Sequence, residues 1–166
     1  MTKSRETGKQ PAEEQRRLAV NLFNLTWTLL TKGERSSEED DRMLHAAHAS
    51  RFHWGEVGDP VRFARGEWQC SRVYAVLGRP EPALHHAQRC LDWCEASEAL
   101  EDFDLPYAYE ALARAHLVAG NAGEGDRYRA LACDHGERIA DHDDREHFLR
   151  DIESLPGTAP EHPLAG

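Results

Sequence analysis

Long apolar runs are missing from this chain. Its hydrophobic stretches fall far short of the roughly 20 residues that a membrane-spanning helix needs, so no span is expected. Basic charge is scarce: 20 Lys and Arg face 30 Asp and Glu, for a formal net charge of −10. With no basic excess to meet phosphates, a nucleic-acid partner is not expected. Attachment to an anionic membrane surface is not expected either. Cysteine is rare, and Cys70, Cys90, Cys94 and Cys133 show neither the C-x-x-C pairs of a zinc ribbon nor the thioredoxin spacing. They are expected to be reduced thiols that serve as small buried hydrophobes. β-branched residues are sparse and alternating apolar–polar runs are missing, which argues against strands. The segment Met1–Glu14 lacks the apolar run of a signal peptide and does not read as a transit peptide, so a cytoplasmic protein is expected. No G-x-S-x-G turn occurs, and the G-N-A-G-E-G run at 120–125 follows a helix rather than a strand, so it does not read as a phosphate loop.

What the chain does contain is helical periodicity. Leu18, Leu22, Leu25 and Leu29 recur at steps that form one apolar stripe, and Gly33 is expected to end that helix. Ser36 and Ser37 then precede Glu38, Glu39, Asp40 and Asp41. Serine caps free N–H groups and acids favour the positive helix end, so this acidic run predicts a helix start rather than a binding tail. The second helix is expected to reach about Trp54. Asp59-Pro60 opens a third that Gly78 closes, and a fourth follows the prolines at 80 and 82. A fifth runs from Asp104-Leu105-Pro106 to Gly120, a sixth covers about 122–140, and a seventh covers about 143–154. Residues 1–10 read as a disordered lead-in, 11–155 as one helical domain, and 156–166 as a disordered tail rich in proline and glycine.

Gly33, Gly78 and Gly120 fall 45 and 42 residues apart. Regularly spaced helix–turn–helix units predict a stack in which neighbouring hairpins bury each other's apolar faces. Around the second turn, Ser71, Tyr74 and Gly78 place a small residue, an aromatic and a glycine three and four residues apart, and Ala83, Ala87 and Cys90 follow at small-residue positions. Ala113, His116 and Gly120 repeat the order around the third turn, with Gly125 following. In these residues the chain resembles the tetratricopeptide repeat (TPR) family, closely over 60–140 and weakly over 11–57. It departs in its period, longer than the usual 34 or so residues, in His116 for the aromatic, and in Trp68, one place later than the family's tryptophan. The resemblance implies an all-α, TPR-like stack of three antiparallel hairpins plus a C-terminal capping helix, seven helices in all. A compact bundle without superhelical curvature is the alternative.

The resemblance also implies a function: a non-enzymatic scaffold that binds a peptide or protein surface in a concave groove. Carried onto this sequence, the groove positions are Arg65, Trp68 and Arg72 in one helix, Tyr107, Glu110 and Arg114 in the next, and Trp27 in the first. Three arginines on one face would suit a carboxylate or acidic peptide, unless they pair with acids such as Glu67 or the 38–41 run. The asparagine pattern of the family's chaperone-binding clamp is missing. The apolar first helix suggests docking elsewhere in the chain or a homodimer contact. Two further readings come from the residues themselves. Asp41, His45 and His48 lie within about 60° on one helical face, a plausible part of a divalent-metal site if another helix supplies ligands, with His85 or His86 as candidates. Otherwise these histidines pack at the hairpin seam or hydrogen-bond Trp27 or Trp54. A small-molecule sensor with a pocket between Trp54 and Trp68 is the last reading.

Overall fold

The computed structural model describes residues 11–157, which form helices and no strand. The seven helices are α1 (Ala12–Leu30), α2 (Ser37–Val57), α3 (Pro60–Val76), α4 (Pro80–Glu95), α5 (Asp104–Val118), α6 (Ala122–Gly136) and α7 (His142–Glu153). The expected lead-in at 1–10 and residues 158–166 of the expected tail lie outside the described residues. Among the described residues, no helix is long and apolar enough to cross a membrane.

Local chemistry accounts for most helix ends. Ser36 and Glu39 form a reciprocal capping box on α2, with Glu38, Glu39 and Asp40 in its first turn. The Asp59 carboxylate caps α3, accepting the Arg62 backbone N–H at 3.0 Å, and Pro60 and Pro80 occupy first turns where no N–H is needed. Gly78 and Gly120 have φ of +68° and +79°. Each builds the same closure: Arg79 N–H donates to Tyr74 O, and Asn121 N–H donates to His116 O, both at 2.9 Å.

Gly33 does not end α1, contrary to expectation. The helix stops at Leu30 with Thr31 as its cap, and the Arg35 guanidinium donates to the carbonyls of Leu29 and Lys32, each at 3.2 Å. A side chain satisfies the last carbonyls there, so no left-handed residue is needed. The sixth helix stops at Gly136, short of the expected 140. A methyl on Gly136 would lie 2.1 Å from the Phe148 ring, and the chain turns so that Ile139 joins Phe148, Ile152 and Leu155 in one core cluster.

The helices pair as antiparallel hairpins, α1 with α2, α3 with α4 and α5 with α6. Neighbouring hairpins meet through α2 against α3 and α4 against α5. In addition α3 touches both α1 and α5, so α1, α3 and α5 form one layer, whose open side is here termed the inner face. Small residues permit the close approach. Ala83, Ala87, Cys90, Ala108 and Ala111 are buried between α3, α4 and α5. A methyl on Gly125 would sit 2.6 Å from Leu117. Ser50 and Ser71 each donate a 2.8 Å hydrogen bond to a carbonyl of the paired helix, Ala19 O and Ala83 O. The seventh helix does not simply extend the stack. It lies across the inner face, with Phe148 packed edge-on to Tyr107 at 4.9 Å between ring centres.

Candidate binding site on the inner face

Five of the seven groove residues expected from the sequence meet in one buried polar cluster. Glu110, fully buried on α5, accepts from Arg72 at 3.0 Å and from Arg114 Nε at 2.7 Å. Trp68 Nε1 adds a long contact of 3.4 Å to its other oxygen. Asp151 of α7 completes the cluster, accepting from Arg72 at 3.2 Å and from the Tyr107 hydroxyl at 3.1 Å. Arg114 also donates to Asp151 O and Ser154 O, at 3.0 and 3.3 Å, so its charge sits on the carbonyl end of α7, where the helix dipole favours a cation. Burial lowers the Arg114 pKa against the pull of Glu110. Burial raises the Tyr107 phenol, and the Asp151 carboxylate reinforces this.

The sixth residue, Arg65, makes two hydrogen bonds to the nearly buried Asp104, at 2.8 and 3.0 Å, and lies over the Phe103 ring at 5.1 Å. The expected positive patch is therefore neutralised from within. The partners are Asp104, Glu110 and Asp151 rather than Glu67 or the 38–41 run. The sequence does hold a signal for Asp151: it follows Phe148 by three residues and precedes Ile152, so a charge sits inside the apolar stripe of α7. Asp104 opens α5 as expected, but its carboxylate has a second use that the sequence does not signal: it accepts from Arg65 and from the Glu101 N–H.

Beside this cluster the inner face opens into a cavity of about 230 Å³. Phe23 and Trp27 come from α1, Trp68 from α3, Phe103 from the turn before α5, and Tyr107 from α5. Cys90 and Cys94 contribute from α4. Trp27 and Trp68 are 5.5 Å apart and inclined by 42°; Trp68 and Tyr107 are 5.4 Å apart and inclined by 72°. Around this apolar lining stand Arg65, Asp104 and two exposed α7 residues, Asp144 and His147. A second recess of about 260 Å³ adjoins it, lined by Val20, Trp54, Arg62 and Gly66 and sharing Phe23 and Arg65 with the first. The Cys90 thiol is held protonated by its hydrogen bond with Cys94 and by burial. Cys70, buried elsewhere, is pushed up to about 12 by burial.

The expected metal set does not assemble. His45 and Asp41 are exposed, while His48 Nε2 lies 2.9 Å from the Tyr74 hydroxyl. Among the described residues, no group of three or more His, Cys, Asp or Glu side chains is placed to hold an ion. His48 turns instead into a chain of contacts across the seam of the first two hairpins. His86 lies 5.2 Å from its ring and stacks on Tyr74. Glu67 accepts from His86 Nδ1 at 2.6 Å and from Arg51 at 2.9 Å. His53 points elsewhere, to Gln15.

Burial lowers the His48 pKa below its ordinary 6.5, helped by His86 and His45 and opposed by Glu67. Below pH 6.5 the unfolded chain protonates this imidazole before the folded chain does. Stability therefore falls with pH until the folded imidazole also protonates. Burial alone would raise the Glu67 carboxyl, but His86 and Arg51 hold it below its ordinary 4.5. Its contribution is full above 4.5 and is lost as pH falls through its folded value, so both groups act in the same direction. The urea midpoint is expected to drop between pH 7.5 and 5.5, and His48→Gln is expected to flatten that drop. An unchanged slope in the variant would remove His48 from the account.

Compared with known proteins, the chain matches no protein-family model and no curated protein.

Proposed function

We propose that this chain is a TPR-like, non-enzymatic binding module that takes a peptide segment on its inner face and seats one large side chain of it in the aromatic cavity. The cavity carries the reading. Aromatic side chains anchor interfaces by filling or forming desolvated pockets, and five of them converge here. Its volume lies below the roughly 300–1,000 Å³ of sites for drug-sized ligands, which suits a single side chain. The glycine-closed turns at Gly78 and Gly120 and the small residues at the hairpin seams support the TPR-like frame. The anchor differs from the one the family resemblance implies. Arg72, Glu110 and Arg114 hold α7 in place, and Trp27, Trp68 and Tyr107 line the space that remains.

Selection of displayed random peptides on the immobilised protein tests this. The selected peptides are expected to share one bulky side chain and to lose about tenfold or more in affinity when Trp27 is replaced by alanine. Phe52→Ala, which removes an exposed ring on α2, should leave affinity unchanged. Peptides that ignore Trp27→Ala would refute the cavity as the anchor. A second reading, a small-molecule sensor, is favoured by the two recesses that join at Phe23 and Arg65 between Trp54 and Trp68. It would show as a small compound that changes the fluorescence of both Trp54 and Trp68 in single-tryptophan variants.

A further inference from the structure

Resting on the peptide-binding reading above, we infer that the side chain this cavity takes is a cation on an apolar stem: the ammonium group of a lysine, or of an N-methylated lysine, in the partner segment. The charges around the cavity are unequally committed. Arg65, the one arginine or lysine of its lining among the described residues, is held by both oxygens of Asp104. The other two groove arginines are bound under α7 by Glu110 and Asp151. No arginine of the expected groove is left to receive a carboxylate.

On the acidic side, Asp144 lines the cavity from the first turn of α7. It is exposed, and no ion pair is formed with its carboxylate among the described residues. His147, which also lines the cavity, lies 3.7 Å from Asp151. With Arg65 and Asp104 cancelling each other, an anionic anchor would meet Asp144 in a chain whose net charge is −10. A cation would be drawn in by the same field.

The aromatic geometry suits the same guest. Rings inclined by 42° and 72° along the series Trp27, Trp68, Tyr107 make an angled wall rather than a parallel stack. Aromatic faces carry negative quadrupoles that attract ammonium groups, most strongly when the methylated group is weakly hydrated. The apolar lining accepts the methylene stem, as lysine stems are accepted along other apolar surfaces. The cavity already holds one such contact of its own, Arg65 over Phe103 at 5.1 Å.

The test titrates the intact chain with N-acetyl-trimethyllysine methylamide, followed by tryptophan fluorescence. Parallel arms use the lysine analogue, tetramethylammonium, and the uncharged tert-butyl isostere of trimethyllysine. The trimethylated probe is expected to bind about tenfold more tightly than the isostere. Asp144→Asn is expected to weaken the cation several-fold and leave the isostere unchanged. Stronger binding of the stem-bearing probes than of tetramethylammonium is expected for a side-chain anchor; the reverse would overturn the lysine assignment in favour of a free ammonium ion. An isostere that binds as well as the cation would overturn the inference and leave the cavity as a neutral anchor site. No binding by any probe would also overturn it, and the peptide reading would then stand or fall on the Trp27→Ala selection.

Discussion

Replacing Glu110 with alanine is expected to destabilise the protein by about 3–5 kcal/mol, the usual cost of breaking a buried ion pair from one side. The carboxylate is fully buried and receives Arg72, Arg114 and, more distantly, Trp68. Removing it leaves two guanidinium groups close together in a dry site with Asp151 as their remaining counter-charge. Domains of this size are stable by only about 5–15 kcal/mol, so the variant would sit near its unfolding threshold. Urea denaturation followed by circular dichroism measures the loss. A variant within about 1 kcal/mol of wild type would show that Glu110 is not the hub of this cluster. Replacing Glu110, Arg72 and Arg114 together by apolar residues of similar volume should recover part of the loss, because the two guanidinium groups are then gone and Asp151 is the charge that loses its arginine partner. That triple variant would also lose the grip on Asp151 and Ser154, which makes α7 the next place to look.

Phe148→Ala is expected to release α7 from the inner face. The ring is fully buried, fits the space above Gly136 and packs edge-on to Tyr107. Deleting a buried phenylalanine side chain costs about 3–5 kcal/mol. Because α7 is the last helix of the described residues, the loss should appear as local opening before global unfolding. Hydrogen exchange would report it: the amides of α7 should lose protection while those of α3 and α4 keep theirs. Equal loss of protection everywhere would show that α7 is an integral part of the core. Gly136→Ala should act in the same direction, because its methyl would overlap the Phe148 ring unless one of them shifts. Release also changes the site. Asp144 and His147 leave the cavity lining and Asp151 leaves Arg72, so the inner face becomes more positive. In the Phe148→Ala variant, binding of the trimethyllysine probe should weaken, and binding of an acidic peptide should appear.

Much of the fold is legible because its causes are local. Ser36 with Glu39, Asp59 with Pro60, and the two left-handed glycines each act within a few residues of chain, so the starts of α2 and α3 and the ends of α3 and α5 follow from composition and spacing. Where a distant or longer-ranged partner took over, the same reasoning fails. Arg35 reaches back to close α1, so Gly33 is not used. Phe148, twelve residues on, fits against Gly136, and α6 stops early. The histidine face on α2 reads as a partial metal set because Asp41, His45 and His48 share a helical surface. Tyr74 and His86, on other helices, take up His48 instead.

The amino-acid sequence by itself determined the helical class, the number of helices among the described residues, the hairpin spacing and some of the side chains that face inward. Periodicity, capping and glycine turns operate over one or two helical turns, and their physics needs no knowledge of the rest of the molecule. Only the tertiary structure decided what those inward side chains do. Arg65 finds Asp104 across 39 residues of chain, Arg72 finds Glu110 across 38, and Arg72 finds Asp151 across 79. Which acid neutralises which arginine depends on where α7 comes to rest. Its resting place depends in turn on a glycine small enough to admit Phe148. A carboxylate's partner is set by distance in space and by burial, and neither is a property of neighbouring residues. A groove that reads as cationic in one dimension is therefore, once folded, an aromatic cavity with an acid at its rim.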